Sequence, residues 1–157
     1  MRILGIDPGT TIIGYGILEK SFRQRLQAIK YGCIKTNLKK NTNEKLKDLH
    51  KQLNRLIEKY KPDIIAVEKL FFFKNQKTVI EVSQARGVIL LTAALRNIPV
   101  CEYTPLQIKI ASTSYGRAEK IQVQKMVKYI LRLKEIPKPD DVADALATAI
   151  CCANSIK

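Results

Sequence analysis

The chain has 157 residues, 46% of them hydrophobic, with 28 Lys and Arg against 14 Asp and Glu, a formal net charge of +14. That length makes one domain over residues 1–157, able to bury ~70% of its unfolded surface, and no apolar run approaches the ~20 residues that span a bilayer. The positive field favours a polyanionic partner, nucleic acid ahead of a membrane surface, and the apolar start at Ile3, Leu4 and Ile6 reaches Asp7 too soon for a secretory leader, so a cytoplasmic setting is expected.

Residues 2–7 read as a strand and Pro8-Gly9-Thr10 as the turn after it. Residues 12–19 form the returning hairpin strand, in which Gly14 and Gly16 permit close backbone approach, and residues 26–35 complete an antiparallel meander. Asn41 with Glu44 resembles a capping box, and Leu46, Leu49, Leu53, Leu56 and Tyr60 then recur at helical spacing as far as Pro62. Its acids lie three or four residues from its lysines, the pattern of a solvated face. His50, alone of its kind and without a second nitrogen or sulfur ligand nearby, is expected to be a surface residue.

Residues 64–67 are a short, wholly apolar run that delivers Glu68 at its far end, the mark of a parallel strand covered on both sides. Phe71, Phe72 and Phe73 follow in a loop, and a helix from about residue 78 to 96 is apolar nearly all round between Val88 and Leu95, so it is buried or forms a subunit interface. Residues 100–103 make another strand, and Thr104-Pro105 supplies an N-cap with proline at the first helical position. Helices near 121–133 and 141–153 close the chain, the last carrying Cys151 and Cys152 on a buried face. With Cys33 and Cys101 also lacking C-x-x-C spacing, the thiols read as reduced. Meander strands followed by alternating strands and helices predict an α/β fold: one mixed five-stranded sheet with helices on both faces.

Asp7, Glu68 and the pair Asp141 and Asp144 can converge, because strand ends and a helix N-terminus are where α/β folds assemble sites. Each has a plainer reading: Asp7 opens a good turn, Glu68 ends a strand, and Asp140 and Asp141 complement a helix dipole. Clustered, they repel one another unless cations stand between them. Oxygen-only ligands select Mg2+, with Mn2+ as a substitute, and two such ions ~3.5–4 Å apart can drive phosphodiester hydrolysis. Asp140, four residues before Asp144, shares its helix face and competes with Asp141 for a place in the set. Residues 105–138 add eight bases (Lys109, Arg117, Lys120, Lys125, Lys128, Arg132, Lys134, Lys138) against two acids, charge suited to phosphates.

Five segments in order resemble bacterial RuvC-type Holliday-junction resolvases: Gly5 to Thr10 with Gly14-Tyr15-Gly16, Ala66 to Phe71 with Lys74-Asn75, Gln84 to Val88, Ala118 to Gln124, and Asp141 to Ala147. The resemblance implies an RNase H-like fold and a structure-selective endodeoxyribonuclease that cuts four-way DNA junctions by paired nicks in recombination and repair. It implies Asp7, Glu68, Asp141 and Asp144 as metal ligands and catalytic carboxylates. Phe71, Arg86, Lys109, Lys120 and Lys125 become the expected DNA contacts, with Phe71 stacking at the junction centre. It further implies a homodimer and a RuvA–RuvB branch-migration partner. Actin-like ATPases share the opening turn but need a second domain. The matches at Glu68 to Phe71 and Gln84 to Gly87 disfavour an RNase H-like nuclease directed at RNA, and the presence of all four carboxylates disfavours a DNA-binding protein without catalysis.

Overall fold

The computed structural model describes residues 1–22, 25–37, 39–69 and 78–156. The chain runs β1 (Arg2–Asp7), β2 (Ile12–Lys20), β3 (Leu26–Lys35), α1 (Thr42–Tyr60), β4 (Ile64–Glu68), α2 (Val79–Leu95), β5 (Val100–Tyr103), α3 (Pro105–Thr113), α4 (Lys120–Ile130) and α5 (Asp140–Ser155). The sheet order is β3-β2-β1-β4-β5, antiparallel across β3-β2-β1 and parallel across β1-β4-β5. Gly5 pairs with Ala66 and Ile6 with Val67 in the β1–β4 register, so Asp7 and Glu68 leave the same end of adjacent strands.

Strand alternation divides the core into two layers. Leu4, Ile6, Ile65 and Val67 face α1 and α2, against Leu49, Leu53, Ile57, Ala85, Ile89 and Ala93. Ile3, Ile64, Ala66 and Tyr103 face α3, α4 and α5. Helix α5 touches all five strands, and Val142 through Cys152 are buried except Asp144. Burying Leu146 and Ile150 contributes roughly 1.5–3 kcal/mol each. The alanines let the helix lie unusually close, and the sheet is glycine where it does so. A methyl at Gly5 would stand 2.1 Å from the Ala145 carbonyl oxygen, and one at Gly14 only 1.9 Å from that of Asp141. What approaches these glycines is therefore the backbone of α5, and that closeness brings its acidic first turn to the end of β1.

Two expectations need correction, and a third narrows to one of its two alternatives. Helix α4 stops at Ile130, short of residue 133, because Arg132 turns into the left-handed region at φ 52°. His50 is half-buried between α1 and α2, with Nδ1 2.8 Å from Thr92 Oγ1 and Nε2 accepting from Asn54 Nδ2 at 2.8 Å. Helix α2 is not covered all round: Ile80, Leu91 and Leu95 are 57–69% exposed, and a side chain at Gly87 would meet nothing within 4 Å. Among the described residues no helix is long and apolar enough to cross a membrane.

Candidate active site

Asp7 ends β1, Glu68 ends β4, and Asp141 and Asp144 lie in the first turns of α5, packed across both strands. Each position follows from its local sequence. Asp7 precedes the Pro8-Gly9 turn, Glu68 ends a strand pinned by the Lys69 amide donating to the Tyr103 carbonyl at 2.8 Å, and Pro139 sets the start of α5. Burial raises the Asp7 pKa well above the usual carboxylate range, and the charges of Asp144, Glu68 and Asp141 raise it further. Burial, and then Asp144, push Glu68 up to about 7, against the pull of Lys120 and Lys109. Asp144 is also raised by burial, although the Lys120 hydrogen bond opposes the shift. The four expected carboxylates thus share one electrostatic cluster with Asp7 at its centre.

Asp140 and Asp141 both act on Asp144, but only Asp141 also acts on Asp7. Its charge reaches Asp7 and Cys33, while its carbonyl lies over Gly14. The Asp140 side chain is 59% exposed and meets only the outer side, where Lys120 Nζ stands 3.5 Å from it and 3.0 Å from Asp144 Oδ2. Lys120 is consequently not an unpartnered base. Burial works against its charge, yet the hydrogen bond and attraction from Asp144 leave its pKa above the ordinary lysine value.

A cleft of about 300 Å³ opens beside the cluster, lined by Glu68, Pro105, Ile108, Lys109, Lys120, Val123 and Asp144. Helices α3 and α4 line it with their first residues, Pro105 and Lys120, so the positive ends of both helix dipoles lie at its wall, and α5 contributes Asp144. Two cations and two helix N-termini beside carboxylates suit a phosphodiester, and oxygen donors that raise one another's proton affinity suit a hard divalent cation. Among the described residues no three His, Cys, Asp or Glu side chains stand together as a finished cage. The ammonium of Lys120 stands on Asp144 instead, at 3.0 Å, while the carboxylate oxygens are of the donor type that hard divalent cations take.

The other expected contacts separate. Lys109 and Lys120 line the cleft. Lys125 lies farther along α4, bordering depressions with Tyr115, Gln122, Lys128 and Tyr129. Arg86 points into the protein, its Nη2 donating to Glu102 of β5, and its Nε is buried without a hydrogen-bond partner. Sequence reasoning missed that partner, although strand alternation places Glu102 on the face opposite Tyr103. Phe71 lies outside the described residues.

The family profile described as "Crossover junction endodeoxyribonuclease RuvC" matches residues 3–152. The chain belongs to this family. It is 55% identical to the crossover junction endodeoxyribonuclease RuvC of Halothermothrix orenii, over 100% of this chain and 94% of that one. Among solved structures it is similar to Thermus thermophilus RuvC, with a TM-score of 0.87, 33% identity and coverage of 96% and 92% of the two chains. The same protein in complex with a Holliday junction substrate gives a TM-score of 0.86, 31% identity and the same coverage. The fold is the RNase H-like α/β fold, and RuvC family members are metal-dependent nucleases.

Proposed function

We propose that this RuvC family member is a Mg2+-dependent endonuclease that resolves four-way DNA junctions, with Asp7, Glu68, Asp141 and Asp144 as its metal-binding carboxylates. The observation that carries the reading is Asp7, a buried acid raised by three neighbouring acids beside a cleft lined by Lys109 and Lys120. An arrangement so costly without a cation is accounted for by a site that takes one. A pair of Mg2+ ions, with Mn2+ as substitute, would supply Lewis acidity toward the scissile phosphate and a water made acidic enough to attack it. Lys109 and Lys120 neutralise the phosphate entering the cleft. Glu68, with its pKa near 7, gives up its proton readily at physiological pH. Lys125 continues the positive surface along α4, and Phe71 is the proposed stacking contact. The Arg86–Glu102 pair argues for Arg86 as a brace between α2 and β5 rather than a free phosphate ligand.

Resolution requires two matched cuts, and one cluster cuts one strand. The exposed Ile80, Gly87, Leu91 and Leu95 recur at seven- and then four-residue spacing along α2, a face apt for a two-fold homodimer. A RuvA–RuvB partner and a cytoplasmic setting accord with the same reading. The testing experiment compares a four-way junction, a linear duplex and an RNA–DNA hybrid, each with and without Mg2+. Paired nicks confined to the junction and to Mg2+ support the proposal; equal cutting of the hybrid or of metal-free samples overturns it.

A further inference from the structure

Asp140 has no role in the scheme above. It opens α5 one turn before Asp144, so both carboxylates lie on the helix face that meets the start of α4. There the Lys120 ammonium stands 3.0 Å from Asp144 Oδ2 and 3.5 Å from Asp140 Oδ2. The two acids differ in reach. Asp144 has 27% of its side chain exposed and acts on Asp7 and Glu68, whereas Asp140 has 59% exposed and acts on Asp144 and Lys120. Asp144 would be drawn to a divalent cation held by the cluster, and that charge would repel the ammonium beside it. The carboxylate left within reach of Lys120 is then Asp140.

We infer that Asp140 is a positioning residue, a second carboxylate that keeps Lys120 over the cleft when Asp144 is given to a metal; the inference rests on the metal-dependent reading above. Lys120 carries its charge on a flexible four-carbon stem and needs a fixed partner to stay in place. In the metal-free protein Asp144 provides one. With metal bound, Asp140 does so alone, from the exposed rim where it touches neither Asp7 nor Glu68. Loss of Asp140 therefore has a signature that a metal ligand or a simple helix-end acid lacks: it shows only when metal is present, and it acts through Lys120.

The test uses limited acetylation of the full chain by acetic anhydride at pH 8, with peptide mass spectrometry reading the rate at each lysine in EDTA and in saturating Mg2+. In the wild type Lys120 reacts slowly in both. In Asp140→Asn it stays slow in EDTA and becomes ~2–5-fold faster in Mg2+, the range that an exposed ion pair controls. Asp140→Glu restores the slow rate. Nicking of a four-way junction falls by a similar ~2–5-fold in Asp140→Asn at unchanged junction affinity. Wild-type labelling of Asp140→Asn in Mg2+ overturns the inference. So does a higher Mg2+ midpoint for thermal stabilisation caused by Asp140→Asn in a Lys120→Ala background, because that marks Asp140 as a ligand. If Mg2+ changes neither the melting temperature nor any lysine rate of the wild type, the metal-dependent reading itself fails, a result distinct from the other two.

Discussion

The acids of α1 and α5 lie on opposite faces of one sheet and meet opposite fates. On α1, Glu44 accepts from the Asn41 amide and completes the capping box, Asp48 takes Lys40 at 2.6 Å, and Glu58 takes Arg96. Arg96 also donates to Asn54, Asn54 to His50, and Thr92 links His50 to the Val88 carbonyl, so polar groups between α1 and α2 form a continuous donor–acceptor chain. On α5, Asp140 and Asp144 share a single lysine, while Asp141 makes no ion pair or side-chain hydrogen bond among the described residues. Satisfied polar groups hold a fold together; a cluster of acids left short of cations stores repulsion that a ligand can relieve. The first side of the sheet is built for stability and the second for chemistry.

Substitutions should divide along that line. Asp7→Asn or Asp144→Asn should cut junction nicking by more than the ~10–100-fold typical of changes outside a metal's direct ligands. Gel-shift affinity should change little, and near-wild-type nicking in either variant would exclude the metal site. Gly14→Ala, which drives a methyl into the Asp141 carbonyl, should lower stability by roughly 1–3 kcal/mol in urea melts and nicking by far more than stability explains. Leu91→Glu should leave a folded monomer in sedimentation equilibrium that loses paired nicks before single ones, whereas an unchanged dimer would move the interface off α2. Asn41→Ala, on the satisfied side, should cost ~1 kcal/mol of stability with nicking per folded molecule unchanged.

The sheet was legible because its signals are local. Short apolar runs bounded by turns mark the strands, the wholly apolar 64–67 among them, and Asn41-x-x-Glu44 and Thr104-Pro105 announce two helices, which Lys61 and Ser114 then end in left-handed caps. The carboxylates Asp7, Glu68, Asp141 and Asp144 could be named because they stand at strand and helix ends. The contest between Asp140 and Asp141 could not be resolved that way. Both share a helical relation to Asp144, and it takes the packing of α5, with the Asp141 carbonyl over Gly14, to leave Asp141 and not Asp140 acting on Asp7. Nor does sequence spacing reveal that Lys120 reaches across to residues 140 and 144, or that Arg86 faces Glu102. The exposed stripe on α2 was hidden for another reason: a helix apolar on every side carries no periodic mark of which side is covered.

The most direct test of the contrast is the stability of wild type and Asp7→Asn at pH 6 and pH 8, in EDTA and in Mg2+. Glu68 has a folded pKa of about 7 against an ordinary 4.5, so the folded state holds its proton more tightly than the unfolded one. Its contribution to stability is complete below the unfolded pKa and is lost as pH rises through about 7. That loss amounts to ~3 kcal/mol at most. Metal-free wild type should be less stable at pH 8 than at pH 6, and Mg2+ should reverse the loss at pH 8. Asp7→Asn should exceed wild type in EDTA and gain little from Mg2+. Wild type with the same stability in EDTA and Mg2+ at pH 8, together with a destabilised Asp7→Asn, would contradict that contrast.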